Sequence, residues 1–378
     1  MFDKYQVKPS DVVDENTKLV IDLDSMLFKL AATSEKTEIE VFNKSTNDSF
    51  GVFKNRTTFF GRSKNKVGAN CILNDINIER ETKGLEPFSL DDFSVKDIQT
   101  PIVGFSLLLK NMDDWVNAVA EPLSISADNI VFLMGDSGSF RDNIKLPKRY
   151  KDNRKTSLKP VMLKELRNMV ASNTNPVMHD SLEADDVLNM YQFKGYMDYL
   201  KTGKASYIVS TIDKDAYGTS GFITNYDKAD GQFKDNSLYL LPQANTDLGD
   251  LKLRNGIVKG CGLKWFICQA MLLGDSGDNY FTYQYFPELK GAYGHKQCYV
   301  DLAEIENPVQ LLEYARDKWK EWFPSGVVEY TDWCGDAQSM PWQAFAELVF
   351  ECAYMKRSYN DTMTLHKLYD NFGVDLYG

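Results

Sequence analysis

The sequence contains few of the residues that bind zinc. Its three histidines (His179, His295 and His366) lie far apart, and none of its six cysteines belongs to a Cys-x-x-Cys pair. Structural zinc sites need closely spaced ligands, so this spacing excludes the common zinc motifs. We interpret the cysteines as free thiols of a protein in a reducing cytoplasm.

Long apolar segments are also missing. No run of about eighteen apolar residues occurs in the chain, and residues 1–4 lack the charged-then-apolar pattern of a secretory leader. We therefore expect neither a membrane-spanning segment nor secretion. The 378 residues are 43% hydrophobic and 13% aromatic, which is enough apolar material to fill the core of one large domain or two.

The charge of the chain is unevenly distributed. A net charge of -11 argues against a nucleic-acid partner, because phosphate binding needs cations on the protein surface. Residues 145–167, however, contain nine basic residues and only two acidic ones. The nine are Lys145, Lys148, Arg149, Lys151, Arg154, Lys155, Lys159, Lys164 and Arg167. This segment is either a solvated charged surface or a stripe that binds phosphates, and its position beside acidic clusters favours the stripe.

Three short apolar runs predict buried parallel strands. The runs are Lys18–Ile21, Ile130–Met134 and Tyr207–Ser210. An aspartate follows each run at close range, namely Asp22, Asp136 and Asp213. Because the carboxyl ends of parallel strands meet at one edge of a sheet, these three acids are expected to converge there. The predicted fold class is α/β, with a mostly parallel central sheet flanked by helices.

Further acids extend this pattern. They lie in Glu183-Ala-Asp185-Asp186, Asp213-Lys-Asp215 and Gly274-Asp275-Ser-Gly-Asp278-Asn279. One edge of a sheet cannot hold so many carboxylates unless divalent cations neutralise them, so the sequence predicts a metal site with two ions. The alternative is structural, with Asp180 capping a helix and Glu183 completing a capping box. That alternative does not explain three carboxylates in four positions, and we favour ligation.

Basic residues close to these acids are candidates for binding a substrate phosphate. Arg141, Lys151 and Arg154 follow Asp136 at short range and could stabilise charge in a transition state, while Tyr150 could stack on a base. Without the neighbouring acids, an exposed basic turn would be the simpler interpretation. The glycine-rich stretch from residue 291 to 296 could also expose backbone N–H groups and a lysine to a phosphate.

The remaining segments are predicted as scaffold. Residues 35–100 form a polar insertion with a β-hairpin built from Glu38–Phe42 and Phe50–Phe53, and its basic residues either contact nucleic acid or are solvated. Helices are predicted to begin at Pro160, at Asn307-Pro308 and near Pro341.

Taken in order, these motifs resemble those of the 5′-nuclease superfamily of flap endonucleases and polymerase-associated 5′→3′ exonucleases, and most closely its bacteriophage exonucleases. The motifs are Val20-Ile-Asp22, Gly135-Asp136 with Phe140-Arg141, Tyr150-Lys151-Asp-Asn-Arg154, Leu182-Glu183-Ala-Asp-Asp186, Asp213-Lys-Asp215 and Gly274-Asp275-Ser-Gly-Asp278-Asn279. They span about two thirds of the chain. The sequence departs from the family at Leu23-Asp24, where a glycine-containing turn is usual, and in the longer spacing between residues 279 and 291.

The resemblance implies a metal-dependent nuclease that hydrolyses DNA from 5′ ends, nicks or flaps, and also RNA in hybrids, during phage replication or DNA degradation in the host cytoplasm. The first Mg²⁺ or Mn²⁺ ion would be held by Asp22, Asp136, Glu183 and Asp185. The second would be served by Asp186, Asp213, Asp215, Asp275 and Asp278. Lys151 would contact the phosphate, with Arg154 and Arg141 supporting it, and Asp185 and Asp213 would be essential for cleavage.

The resemblance also implies how the chain is divided. Residues 17–300 would form a catalytic domain of PIN/5′-nuclease-like fold, with the insertion at 35–100 and a helical extension at 301–378. Within it, 145–180 would be a basic arch over a single-stranded 5′ end, and 260–300 a helix-turn-helix-type element on duplex DNA. The predicted DNA contacts are Lys148, Arg149, Tyr150, Lys151, Arg154, Lys155, Lys159 and Lys296.

The main alternative is a phosphatase of the haloacid-dehalogenase type. In it, Asp22 would attack phosphorus and Asp24 would act as the acid. The helical pattern before Gly274 opposes this interpretation, which also leaves the acids at 183–186 without a role. A PIN-type ribonuclease and a non-catalytic nucleic-acid-binding relative are two further alternatives; the first would act on RNA alone, and the second would have lost metal ligands.

Overall fold

The computed structural model describes residues 3–136, 138–225, 237–289 and 293–378. These residues form two compact units. The larger unit comprises Met1–Met26, Met112–Leu158 and Val170–Gly378, and the smaller comprises Leu27–Asn111 and Lys159–Met169. The acids of every predicted cluster belong to the larger unit.

Strands and helices are interspersed along the chain. The strands are β1 (Gln6–Val7), β2 (Lys18–Asp22), β3 (Glu35–Asn43), β4 (Ser49–Phe53), β5 (Phe93–Pro101), β6 (Ile130–Leu133), β7 (Tyr207–Ser210), β8 (Gly221–Thr224), β9 (Leu238–Leu241), β10 (Leu251–Arg254), β11 (Ile257–Gly260), β12 (Val327–Thr331) and β13 (Ala337–Pro341). The helices are α1 (Pro9–Val12), α2 (Leu23–Thr33), α3 (Arg56–Phe60), α4 (Ile72–Thr82), α5 (Phe105–Leu123), α6 (Leu163–Thr174), α7 (Ala184–Thr202), α8 (Gly262–Ile267), α9 (His295–Leu302), α10 (Pro308–Trp322), α11 (Trp342–Ala353) and α12 (Leu365–Asp370). In the described ranges, none of these helices has the length and apolar character needed to cross a membrane.

The central sheet of the larger unit has the strand order β1-β9-β8-β7-β2-β6. The contacts of β2 with β6 and β7, and of β7 with β8, are parallel, whereas β9 pairs antiparallel with β8 and β1. The three predicted parallel strands are therefore confirmed as β2, β6 and β7. The prediction of a mixed α/β fold with a mostly parallel sheet flanked by helices is confirmed as well.

Strand register brings the ends of three strands to one edge of this sheet. Asp22, the last residue of β2, is paired with Leu133 of β6, and Ile21 is paired with Ser210 of β7. Residues 19–22 are all buried, because β2 is a central strand with both faces covered. The segments that carry Asp136 and Asp213 thus leave the sheet beside Asp22.

Helix α7 packs closely against this sheet. Gly195 makes the close approach possible, since a Cβ atom there would clash with the carbonyl oxygen of Tyr207 in β7. The helix begins at Ala184, so its first turn carries Asp185 and Asp186.

The C-terminal helices belong to the same core. Asn307 caps α10 by accepting a hydrogen bond from the N–H of Val309 (2.8 Å), and Pro308 occupies the first turn as predicted. The predicted helix near Pro341 is confirmed as α11. Trp319 of α10 donates its indole N–H to the carbonyl oxygen of Met271 (2.7 Å), so this helix supports the segment that precedes the last acidic turn.

The smaller unit contains an antiparallel sheet with the order β4-β3-β5. The predicted hairpin is confirmed, with Ile39 of β3 opposite Phe53 of β4. Its core is rich in phenylalanine, supplied by β4, α3 and β5, while β3 and α4 contribute aliphatic side chains. Helix α6 begins at Leu163 and not at Pro160, since the N–H of Val161 is used by the carboxylate of Glu35 (2.9 Å) outside the helix.

Candidate metal centre

Asp22 is the most completely enclosed acid at the sheet edge. Its Oδ1 accepts the backbone N–H groups of Asp24 (3.0 Å) and Ser25 (3.3 Å). Its Oδ2 accepts the hydroxyl groups of Ser25 and Thr211, the latter at 2.8 Å. Burial raises the pKa of Asp22, and the charge of Asp213 adds to this, although the hydrogen bonds from Ser25 and Thr211 act in the opposite direction. The hydrogen bonds therefore hold this carboxylate in one position, while its burial makes the ionised form less favourable than it is in water.

Asp24 links the end of β2 to the end of β6. Its Oδ2 accepts the backbone N–H of Gly135 (2.8 Å). A Cβ atom on Gly135 would lie 2.7 Å from this oxygen, so any larger residue would displace the Asp24 carboxylate. Asp136 follows directly and is exposed. Asp136 is placed at the same edge as the other acids by the register of β6 with β2. Residue 137 lies outside the described residues.

Asp185 lies in the first turn of α7, in front of the sheet edge. Burial raises its pKa well above the ordinary value, and the charge of Asp213 raises it further. The charges of Asp22 and Glu183 act in the same direction, whereas the ammonium group of Lys151 lowers this pKa. These acids are close enough to oppose one another's ionisation, which a bound cation would relieve.

Asp213 connects this group to the next cluster. Its Oδ1 accepts the N–H of Asp215 (3.0 Å) at the start of the 3₁₀ turn Lys214–Gly218. Its own N–H donates to the hydroxyl oxygen of Thr211 (2.9 Å), the same hydroxyl that donates to Asp22. This chain of hydrogen bonds fixes Asp22, at the end of β2, relative to Asp213 and Asp215, which follow β7.

Asp215, Asp275 and Asp278 form a compact trio. One oxygen atom from each lies within 4.8 Å of one oxygen atom of the others, a spacing that fits ligation of a single cation. The ammonium group of Lys214 contacts Asp275 and lies 3.2 Å from Oδ1 of Asp215. Sequence reasoning missed Lys214, although its position between two acids in Asp213-Lys-Asp215 was a usable signal.

The turn that carries two of these acids is tightly constrained. It follows the π-helix Cys268–Leu273, and Gly274 at its start has a φ of +66°, with no room for a side chain. Asp275 exchanges backbone hydrogen bonds with Tyr280 (2.8 and 3.1 Å), and its Oδ1 accepts the N–H of Gly277 (2.8 Å). π-Helical segments occur frequently at functional sites.

The basic segment 149–154 is docked onto this turn. The contacts join Lys151 N–H to Asp278 O (2.9 Å), Asn153 Nδ2 to Ser276 O (2.8 Å), Asn279 Nδ2 to Arg149 O (2.8 Å), and Arg154 to the carboxylate of Asp278. Lys151 adopts a left-handed backbone conformation with a φ of +52°. Such a conformation costs free energy in a residue other than glycine, and it is typical of functional sites.

Lys151 and Tyr150 bridge acids from different clusters. The Lys151 ammonium nitrogen is 2.5 Å from Oε1 of Glu183 and 3.6 Å from Oδ2 of Asp278. The Tyr150 hydroxyl lies 2.9 Å from both Oε2 of Glu183 and Oδ2 of Asp278. Tyr150 is only 3% exposed, so its ring offers no face to a base in this arrangement, contrary to our prediction of stacking.

Arg141 and Asp186 form a buried pair behind the centre. Arg141 Nη1 and Nη2 donate to Asp186 Oδ2 (2.7 Å) and Oδ1 (2.9 Å), and both side chains are 0% exposed. The backbone N–H groups of Lys356 (3.0 Å) and Glu183 (3.3 Å) complete the hydrogen bonds of this carboxylate. The charge of Asp186 is therefore already neutralised by a buried guanidinium group, and Arg141 cannot reach a phosphate; neither fits the role that the resemblance implied.

The predicted cap of α7 also differs. The residue before the helix is Glu183 and not Asp180. Asp186, three residues after Glu183, accepts the backbone N–H of Glu183 and so completes the capping box. Glu183 is further held by Arg141 Nη1 (3.1 Å). Arg141 thus acts on the centre indirectly, by fixing the position of Glu183.

Among the residues that the structure describes, the others predicted to contact DNA are not in contact with the acids of the centre. Lys148 is stacked 4.9 Å from the ring of Phe281, and Arg149 lies 4.9 Å from the ring of Trp333. Lys155, Lys159 and Lys296 are exposed, and Lys159 belongs to the smaller unit. The glycine-rich loop predicted to bind phosphate falls partly on residues 290–292, which lie outside the described residues.

A cavity of about 740 Å³ opens onto the trio. Its walls combine the acids Asp213, Asp215, Asp275 and Asp278 with the basic residues Arg154, Lys214 and Lys259 and the aromatic residues Trp265 and Phe281. A polyanion could enter such a cavity only where cations offset the acidic floor.

The ionisation of Asp215 leads to a testable pH dependence. Burial raises the pKa of Asp215 to about 7, with the neighbouring acids adding to the effect and Lys214 opposing it. The folded protein therefore retains a proton that the unfolded chain releases, so this group lowers stability as the pH rises from about 4 to about 7. We expect Asp215→Asn to stabilise the metal-free protein by on the order of 2 kcal/mol more at pH 8 than at pH 5, measured by urea unfolding in EDTA.

Asp180→Asn is the matched control for this pH experiment, because that side chain is 92% exposed. Its effect on stability should be small and should change between the two pH values only through the ionisation of the neighbouring His179 (3.7 Å), so it sets the background for Asp215→Asn. An Asp215→Asn variant whose effect is independent of pH would contradict a protonated Asp215 in the folded protein.

The structure thus brings most of the predicted acids together. Seven of them share contacts or raise one another's pKa through their charges, namely Asp22, Glu183, Asp185, Asp213, Asp215, Asp275 and Asp278. Asp186 is turned onto Arg141, and Asp136 is exposed at the same edge. Comparison of the chain with protein-family models, with curated proteins and with solved structures finds no match.

Proposed function

We propose that the protein is a metal-dependent 5′ nuclease that hydrolyses phosphodiester bonds of DNA from 5′ ends, with a PIN/5′-nuclease-like fold. One observation carries this proposal: buried and half-buried acids from four separate segments meet where the parallel strands end, and the basic segment 149–154 is fixed onto the acidic turn at 274–279. Dense carboxylates beside fixed cations suit a reaction on a phosphodiester, which needs both metal ions and phosphate-binding groups.

The donor atoms fit divalent magnesium or manganese. Every candidate ligand is a carboxylate oxygen, the donor that these hard cations prefer. Asp215, Asp275 and Asp278 would hold one ion. Asp22, Asp136, Glu183 and Asp185, with Asp213 between the two groups, would hold the other. Two such ions, when bound, would supply an activated water and stabilise the leaving oxygen.

Lys151 and Arg154 would neutralise charge on the scissile phosphate. Lys151 already contacts Glu183 and Asp278, and Arg154 contacts Asp278, so both cations lie at the acids that would hold the ions. Arg141 would act as a positioning residue through Glu183. We extend the proposal to the DNA-binding segments. Residues 145–180 would form a basic arch, and residues 260–300 would form a helix-turn-helix-type element that binds duplex DNA. The proposed biological role is in phage DNA metabolism.

The phosphatase alternative has less support from the same residues. It leaves Glu183, Asp185 and the basic segment 149–154 without a role, although they contact or influence the same group of acids. The segment before Gly274 is helical, where that fold would need a strand.

The test is cleavage of defined substrates by the purified protein. A 5′-labelled blunt duplex, a nicked duplex, a 5′ flap and an RNA–DNA hybrid are incubated with Mg²⁺, with Mn²⁺ or with EDTA. We expect release of short 5′-terminal products with either metal ion and none in EDTA. Activity on single-stranded RNA alone would favour the ribonuclease alternative, and an aspartyl-phosphate trapped on Asp22 would establish the phosphatase.

A further inference from the structure

A second cavity of about 310 Å³ lies in the larger unit, on the other side of Asp215 from the metal centre. Aromatic side chains form much of its wall, namely Phe193 of α7, Phe266 of α8, Tyr354 after α11 and Phe372 after α12. The rest of the wall is mixed, and its polar side chains include Gln243, Asn245, Asn371 and Arg357. A concave site that combines aromatic side chains with a set of convergent polar groups is a common form of small-molecule site.

Arg357 is the unusual member of this wall. In the described part of the chain its guanidinium group forms no ion pair, and its buried Nε has no hydrogen-bond partner. The group instead lies over aromatic faces, 5.1 Å from the ring centre of Phe193 and 5.9 Å from that of Tyr354. A buried donor without a partner costs free energy, so its retention calls for a ligand that accepts from it.

The nearest acid in the sequence does not neutralise Arg357. Asp361 accepts the backbone N–H of Arg357 (2.8 Å) and the hydroxyl of Tyr354 (2.8 Å) with Oδ2, and the N–H of Met363 (3.0 Å) with Oδ1. The acid on the cavity wall, Asp215, is bonded through Oδ1 to other side chains. The positive charge of the guanidinium is therefore available to an anion.

We propose that this cavity binds a nucleoside monophosphate, with the phosphate on Arg357 and the base between the aromatic side chains. Arg forms paired hydrogen bonds with phosphate, and aromatic faces stack on any base. Gln243 can donate to a base edge, because its Oε1 already accepts the hydroxyl of Tyr196 (2.7 Å) and its NH₂ group is the part left to donate. This assignment does not rest on the nuclease proposal.

The test is calorimetric titration of the metal-free full-length protein in EDTA with AMP, adenosine and benzoate. AMP should bind at least about tenfold more tightly than adenosine, since the phosphate contact is charge-assisted. Arg357→Gln should remove this difference. Ala353→Phe, which fills the cavity, should abolish binding of both ligands.

Two control variants make the experiment specific. Lys356→Gln removes the same charge from the next residue, whose ammonium lies 5.2 Å from the ring of Phe140 and not on the cavity wall, and it should bind AMP as the unmodified protein does. Lys151→Gln in the metal centre should also leave AMP binding unchanged. AMP binding that survives Arg357→Gln, is lost in Lys151→Gln, or is matched by benzoate would overturn the proposal, as would no binding at all in a protein that melts cooperatively.

Discussion

Asp185→Asn is expected to lower metal-dependent DNA cleavage by about 10³-fold, equivalent to ~4 kcal/mol of transition-state stabilisation. The amide keeps the size of the side chain but cannot supply the negative oxygen that a divalent cation requires. Asp213→Ala should have an effect of similar size, because Asp213 lies between the two groups of acids. The measurement is the initial rate of release from a 5′-labelled nicked duplex.

The same variant should remain folded and bind DNA. Burial raises the pKa of Asp185, so replacing it with a neutral side chain removes an unfavourable ionisation and should raise the melting temperature of the metal-free protein. DNA affinity, measured by fluorescence anisotropy in EDTA, should stay the same or increase, since one negative charge is lost. Asp180→Asn on the exposed segment before α7 is the control and should cleave normally. Full activity in both Asp185→Asn and Asp213→Ala would refute the metal-centre assignment.

Arg141→Met is expected to destabilise the larger unit by about 3–5 kcal/mol, because it leaves the carboxylate of Asp186 buried without its cation. The double variant Arg141→Met/Asp186→Leu should recover most of this loss, since it buries no charge. Urea unfolding followed by tryptophan fluorescence is a suitable measurement: all six tryptophans lie in the sequence ranges of the larger unit.

The double variant also separates packing from catalysis. It restores the fold but not the hydrogen bond from Arg141 to Glu183 (3.1 Å), so cleavage should stay reduced by about 10–100-fold, as for other residues that orient a metal ligand. Lys155→Gln, which removes an exposed ion pair with Asp152, should leave the unfolding midpoint unchanged. A single Arg141→Met variant as stable as the unmodified protein would contradict a structural role for this pair.

The acids at the sheet edge could be predicted because their signal is local. A short buried strand is an apolar run, and the residue at its end is visible in the sequence, as in Val20-Ile-Asp22. Strands β8 (Gly221–Thr224) and β9 (Leu238–Leu241) are also short and buried, but they are absent from the predicted strands. Length is not the reason, because β6 and β7 are equally short; in β8 only Phe222 and Ile223 are apolar, between Gly221 and Thr224, so its apolar run is too brief to indicate a strand.

The role of Asp186 could not be predicted for a different reason. The resemblance to 5′ nucleases assigned both Glu183 and Asp186 to the ions. The partners that decide otherwise are Arg141, 45 residues upstream, and the backbone of Lys356, 170 residues downstream. Tyr150 is a similar case, because only tertiary packing directs its hydroxyl between Glu183 and Asp278.

The residues that follow α11 have a consequence for how this chain can be shortened. The carbonyl oxygens of Cys352 (3.2 Å) and Tyr354 (2.6 Å) accept hydrogen bonds from Arg141, and those of Met355 and Lys356 accept from Asn189 of α7 (both 3.0 Å). The segment that follows α11 therefore supports Arg141 and α7 behind the acidic centre, and it is not a detachable module. A nascent chain would complete its acidic pocket only once these residues had left the ribosome.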